Sequence, residues 1–282
     1  MKNPNQSGSG FPGATLGRSI LIAAFLLIPP GTVGAQDHDE DHDHDHDHLH
    51  FSHPLVTESP SPDTKLRLDY LGLRASDQIE VRENTFRLEG EYAFNHSVSL
   101  AIVAPFIAIT APATARASGL GNMELSLKAA SLAFGEEGVL LGGGLSAALP
   151  TGSDAKGIGS AHIVELEPFL DAGFKRDAFE LVGFAILSST FHRRPGEEAE
   201  RTLTFNFSTL YHIEPRLEGM IEVATARALV GPESGTQQTF IAPGIKVYPF
   251  TNRSFMFGAS AEIGTGVLHD TRALLLSAFY HL

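Results

Sequence analysis

Residues 86–94 read "FRLEGEYAF": Phe86, Leu88, Gly90, Tyr92 and Phe94 fall on one parity, and Arg87, Glu89 and Glu91 on the other. Residues 203–211, "LTFNFSTLY", and 255–263, "FMFGASAEI", repeat the alternation. A two-residue period predicts strands with one apolar and one polar face. Past Thr64 almost no segment carries helical spacing. Short turns are expected near 94–97, 135–138, 175–177, 212–215 and 251–254. Longer polar or Gly-rich loops are expected near 75–82, 111–121, 150–161, 192–200, 231–237 and 266–271. Short and long connections taking turns along the chain are the pattern of an outer-membrane barrel. The breaks predict an all-β, antiparallel transmembrane barrel of about twelve strands, with both termini in the periplasm. A soluble sandwich is the alternative. The last ten residues, "ALLLSAFYHL", form one more amphipathic strand, a feature that barrel-assembly machinery reads.

The start of the chain differs in kind. Lys2 and Arg18 precede an apolar run, 19–30, and a small-residue site at Val33, Gly34 and Ala35. This predicts a cleaved signal peptide over 1–35. The run is too short for a spanning helix, which needs roughly 20 apolar residues. Three segments follow: the signal peptide, a disordered His/Asp-rich arm with a Pro-containing tether over 36–64, and the barrel over 65–282.

Composition narrows the partners. Cysteine is absent, so an exported chain of this size relies on a large core or a closed sheet. Losing Lys2 and Arg18 takes the formal charge from −13 to −15. That balance excludes nucleic acid and favours cations. With the apolar parity facing lipid, the inward charged positions are Lys65, Arg67, Asp69, Arg87, Glu89, Glu91, Glu124, Lys128, Glu165, Glu167, Asp171, Glu180, Glu218, Glu222, Lys246 and Glu262. Of these, Glu89, Glu91, Glu165, Glu167, Asp171, Glu218, Glu222 and Glu262 are the candidate pore-lining acids. Carboxylates so placed either pass a cation or pair with the inward bases. Inward Phe169, Phe184, Phe240 and Tyr248 suit an organic solute instead.

Residues 37–54, "DHDEDHDHDHDHLHFSHP", alternate acid and imidazole. His38, His42, His44, His46, His48, His50 and His53, with Asp39, Asp43, Asp45 and Asp47, are candidate metal ligands. Imidazole is the common ligand of zinc, copper and nickel, and the absence of cysteine excludes a thiolate site. In extended chain, residues two apart lie about 6.6–7 Å apart on one side, so a shared metal requires the chain to bend. Several interconverting sites are expected, with zinc foremost and copper or nickel next, weakening as His protonates. No cofactor is required.

At residues 140–152, "LLGGGLSAALPTG", the chain resembles the outer-membrane transporter family named for the meta-pathway of phenol degradation. Residues 51–70, "FSHPLVTESPSPDTKLRLDY", behind a His-rich tract, resemble a subgroup of it. The resemblance implies a transport-like barrel in a Gram-negative outer membrane and no particular substrate.

Three functions compete. A channel linked to divalent metals, zinc first, would use the arm to collect ions, with a periplasmic metal-handling partner. A channel for small organic solutes would leave the arm without a metal role. A lipid hydrolase would need Ser160 with His162, or Ser188 or Ser189 with His192, and a third orienting group is not evident in the sequence. A non-enzymatic channel in outer-membrane lipid is the expectation.

Overall fold

The computed structural model describes residues 49–75, 81–111, 114–134, 138–191, 194, 197–251, 253–266 and 268–282. The expected signal peptide and the run 36–48 lie outside the described residues.

The strands are β1 (Lys65–Ala75), β2 (Val81–Asn95), β3 (Val98–Ala111), β4 (Thr114–Leu120), β5 (Glu124–Phe134), β6 (Val139–Ala148), β7 (Val164–Arg176), β8 (Phe179–Phe191), β9 (Arg201–Glu214), β10 (Leu217–Val230), β11 (Gln237–Val247), β12 (Phe255–Gly266) and β13 (Thr271–His281). Each pairs antiparallel with its neighbour in one sheet, and β1 pairs with β13 from Lys65↔His281 to Ala75↔Thr271. The β2–β3 pairing closes the ring. β4 lies against Phe106–Ala111 of β3 and β5 against Val98–Val103, so the two occupy one strand position, interrupted at 121–123. The result is the expected twelve-strand barrel. The loop expected over 111–121 is instead mostly β4: its hydrogen bonds to β3 override a small-residue composition that reads as loop.

Alternation sorts the two faces. In β1, Lys65, Arg67, Asp69, Leu71, Leu73 and Ala75 are buried inside, while Leu66 and Leu68 remain about half exposed. Leu88, Leu127, Leu170, Phe205 and Ile221 continue the exposed apolar belt. Such a surface is an aggregation hazard in water and the right exterior in lipid, where only a closed barrel satisfies all its strand hydrogen bonds. Tyr92, Phe94, Tyr211, Phe250, Phe257 and Tyr280 gather on that exterior near the short-turn end, where amphipathic rings sit at a membrane interface. The start of β1 and the end of β13 meet at this end, where Lys65 pairs with His281.

Residues 51–63 depart from the disordered tether that the sequence suggests. Phe51, Leu55, Val56, Thr57, Glu58, Ser59 and Asp63 are all buried, and Phe51, Leu55 and Val56 join one apolar cluster with barrel residues such as Leu210, Met220 and Phe279. The segment has neither helical nor strand periodicity. Its order comes from the wall around it.

Candidate functional site

Residues 51–63 form a plug in the short-turn half of the lumen, held by inward side chains from around the bore. The N–H groups of Leu55, Val56 and Thr57 donate to the Glu222 carboxylate of β10 at 3.1, 3.0 and 2.8 Å. Consecutive backbone donors converging on one carboxylate form an anion-binding nest. Ser208 of β9 also donates to Glu222, at 2.7 Å, and its hydroxyl meets that of Thr57. On β8, Glu180 accepts the Ser52 N–H at 2.8 Å. Cations do the reverse task. Arg67 of β1 donates to the Leu55 carbonyl at 2.7 Å, Lys246 of β11 to the His53 carbonyl at 3.0 Å, and Lys128 of β5 to Glu58 at 2.7 Å.

Two inward glycines form the apolar seats. A methyl group at Gly173 of β7 would lie 2.6 Å from the Phe51 ring, and one at Gly258 of β12 would lie 2.4 Å from Leu55. Neither contact is tolerable, so those two side chains fit only because the wall is bare there.

Most of the remaining charges of this half neutralise one another, whereas Asp171 of β7 is buried with neither carboxylate oxygen partnered among the described residues. Directly paired positions on β1 and β2 oppose Lys65 to Glu91, Arg67 to Glu89 and Asp69 to Arg87. Lys65 Nζ lies 3.0 Å from Glu89, Arg67 Nε lies 2.8 Å from Asp69, and Arg67 also stacks on the Phe279 ring at 4.6 Å. Glu218 meets Lys246 and His212, whose other ring nitrogen is 3.0 Å from Glu180. Desolvated charges persist only in such company.

The long-loop half is different. Glu124, Glu165 and Glu167 face inward on β5 and β7, close together because Glu124 pairs with Ala148 and Ala148 with Glu165. None has an ion pair among the described residues, though Glu167 accepts the Ser188 hydroxyl at 2.6 Å. Beside them Phe169 and Phe184 pack with centroids 5.1 Å apart, joined by Ile186. Above, the loop 149–163 folds against the break in the β4–β5 position. Thr151 bridges the Met123 N–H and the Gly121 carbonyl, Asn122 accepts from Gly152 and Ser160, and Ile158 packs on inward Ile107 and Ile109. The Pro-Thr-Gly motif thus serves as a loop anchor.

The eight candidate pore-lining acids all point inward as parity predicts, but they divide by task. Glu89 and Glu91 sit beside Lys65, Glu218 beside Lys246, and Glu222 holds the plug. Glu262 and Asp171 are buried on β12 and β7, and Glu165 and Glu167 are half-buried. Of the candidate metal ligands, His38, His42, His44, His46, His48, Asp39, Asp43, Asp45 and Asp47 lie outside the described residues. His50 and His53 lie at the plug's neck with Asp63, their ligand atoms within 4.8 Å of one another. Asp63 was not among the residues singled out by pattern, because only the folded plug brings it there.

The structure also supplies the third group that Ser160 and His162 lack in sequence. Asp154 Oδ2 lies 3.0 Å from His162 Nδ1, and Glu197 lies 2.9 Å from Nε2. The Ser160 oxygen lies 3.3 Å from His162 Nδ1, accepts the N–H groups of His162 and Ile163, and its hydroxyl donates to Asp154 at 3.1 Å, so Ser160 and Asp154 share one nitrogen of the His162 ring and the serine staples its own loop. The Glu197 hydrogen bond, with Asp154 beside it, raises the His162 pKa above its ordinary value; the same contacts lower those of Glu197 and Asp154. The cluster ties two long loops together. Ser188 is committed to Glu167, and His192 lies outside the described residues.

No protein-family model matches the chain, and no curated protein matches it in sequence. In fold the chain is similar to an outer membrane channel from Pseudomonas putida F1, with TM-score 0.60, 12% identity, and 78% of this chain and 96% of that one covered. It is also similar to the NanC porin, with TM-score 0.51, 8% identity and coverages of 76% and 100%. The translocator domain of the autotransporter NalP from Neisseria meningitidis gives TM-score 0.52, 10% identity and coverages of 78% and 88%. At these identities the likeness establishes the fold, an outer-membrane β-barrel. The outer-membrane barrel that the resemblance implies is thus shown, while no family model or sequence relative supports the phenol-degradation family or its His-rich subgroup.

Proposed function

We propose that this barrel is an outer-membrane channel for small solutes, with residues 51–63 as a gate resident in its bore. The observation that carries the reading is that the lumen is filled at the short-turn end by one terminal segment held chiefly through hydrogen bonds to inward side chains. A stopper of this kind can leave without breaking the sheet. Short turns mark the periplasmic side of such barrels, and this supports a reading with the plug on the periplasmic side and the acidic, aromatic half outside. Free carboxylates beside Phe169 and Phe184 favour small cations and cationic or neutral aromatic solutes over anions. Assembly machinery of the outer membrane would insert the barrel, and its apolar belt would contact lipid.

A second reading, a channel linked to divalent metal, has support in the grouping of His50, His53 and Asp63. Zinc, copper or nickel would then be cargo collected by the arm, with a periplasmic metal-handling partner. It draws little from the luminal acids, since Glu89, Glu91, Glu218 and Glu222 are engaged with cations or with the plug.

The test is conductance in planar bilayers, comparing the mature chain with one lacking 51–63. The plugged protein is expected to give small or rare openings. The deletion is expected to give steady steps whose reversal potential in a KCl gradient is that of a cation-preferring pore. A deletion variant that keeps its barrel fold yet conducts nothing overturns the proposal.

A further inference from the structure

The plug is a loop whose two ends meet. Phe51 N–H donates to the Ser61 hydroxyl at 3.0 Å, and His53 Nε2 lies 3.2 Å from Asp63 Oδ2, so residues ten apart in the chain touch at its neck. Asp63 is fully buried, and His53 is 5% exposed. On the wall side His281, on the final strand, places Nδ1 2.9 Å from the same Asp63 oxygen, while the Thr64 N–H donates to the other at 2.7 Å. His50 stands at the open side, its ring 5.8 Å from that of His53.

We infer that His50, His53 and Asp63 bind one borderline divalent cation of the zinc class, and that this ion staples the neck of the plug. Two imidazoles and a carboxylate are the donor set of a three-ligand zinc site, with a fourth position left for water. Ligand atoms about 2.0–2.1 Å from a tetrahedral zinc are separated by little more than the present His53–Asp63 contact. The site therefore needs only a small closing movement of His50. His281 acts as a positioning residue. Its ring nitrogen and the Thr64 N–H hold the Asp63 carboxylate toward the mouth, as outer partners orient metal-bound carboxylates. Oxygen-seeking calcium or magnesium does not suit a site with two imidazoles. The site differs in kind from the alternating run before it. The run offers many interchangeable ligands, whereas the neck offers one arrangement fixed by the fold, and it joins both ends of the gating segment.

That the staple regulates passage rests on the channel reading; the site itself rests on geometry alone. The experiment uses the full mature chain in detergent micelles, with His38, His42, His44, His46 and His48 changed to Ser to silence the run. Zn²⁺ is titrated against a chromophoric chelator, and hydrogen exchange across 54–62 is followed with and without the metal. One Zn²⁺ per chain and slower exchange are expected. His281→Ala is expected to weaken binding on the order of 10–100-fold. His50→Ala, at an exposed position that leaves the barrel fold intact, and Asp63→Asn are expected to weaken it further. His162→Gln at the other end of the barrel should leave it unchanged. No stoichiometric zinc, or binding indifferent to His50 and Asp63, overturns the site. Zinc bound with no change in exchange overturns the staple. Failure of the conductance test alone leaves both standing and removes only the channel.

Discussion

The two halves of the lumen are lined by the same residue class and are physically unlike. At the short-turn end most acids are consumed, Asp171 excepted. Glu222 holds three backbone N–H groups, Glu218 faces Lys246, and Glu89 lies between Lys65 and Arg87. At the long-loop end Glu124 and Glu165 have no cation against them among the described residues. An inward carboxylate is therefore not by itself a pore feature. Its role depends on whether a base or a bundle of amide hydrogens has been brought to it.

The sharpest way to break this contrast is Glu222→Ala against Glu165→Ala. Removing Glu222 strands three buried N–H groups, each costing roughly 1–3 kcal/mol when unsatisfied. The plug is expected to leave its seat, giving a large rise in conductance and faster hydrogen exchange over 51–63. Glu165→Ala should leave exchange unchanged. Equal exchange in the two variants would erase the distinction between the halves.

Next in size is Gly173→Val or Gly258→Val, which fills a seat from the wall. Overpacking of this kind costs about 1–3 kcal/mol, here charged to the plug because Phe51 and Leu55 are the atoms in the way. Exchange over 51–63 should rise while the barrel retains its heat-modifiable migration on gels. A variant with an unchanged plug would mean that the seats are not tight.

A smaller effect belongs to the other half. Changing Glu124, Glu165 and Glu167 to Gln in the plug-deleted protein is expected to move the reversal potential toward that of a non-selective pore, without altering step size more than ~2-fold, since the lumen width is set by strand number. An unshifted potential would place selectivity elsewhere.

Smallest is a pH effect at the long loops. His162 has a raised pKa, so its contribution to loop docking is complete below the ordinary histidine value and is lost as pH rises through the raised one. Asp154 and Glu197, with lowered values, lose theirs only as pH falls through those values. Protection factors in 150–163, exchange corrected for its base-catalysed intrinsic rate, should therefore fall on the alkaline side, and His162→Gln should make them insensitive to pH there. A wild-type loop indifferent to pH would leave Ile158 packing as its main anchor.

Most of the wall was legible in the sequence. The charges that parity assigned to the lumen, from Lys65 to Glu262, do face inward, because a strand that divides lipid from lumen repeats a simple two-residue rule, and the same rule extends to Glu83, which was not among them. The plug was not legible. Pro54, Pro60 and Pro62 and the lack of any period make 54–64 read as a tether, and its order depends on bare patches at Gly173 and Gly258, far along the chain. The one available signal was apolar Phe51, Leu55 and Val56 inside an otherwise polar linker. The site at the neck inherits this difficulty. His50 and His53 stood out by composition, whereas Asp63 and His281 join them only through the fold. β4 is not legible in the sequence because small residues carry little strand preference until a partner strand is present.

β7 and β12 stand nearly opposite each other in the ring, and each is braced by a side chain of the same short segment, Phe51 on β7 and Leu55 on β12. An empty strand cylinder resists flattening only through its hydrogen-bonded rim. With the plug seated it resembles a wheel with spokes, and sideways lipid pressure on one flank is passed through side chains to the far flank. On the proposed channel reading, withdrawing the plug would change the stiffness of the cylinder as well as the width of its bore.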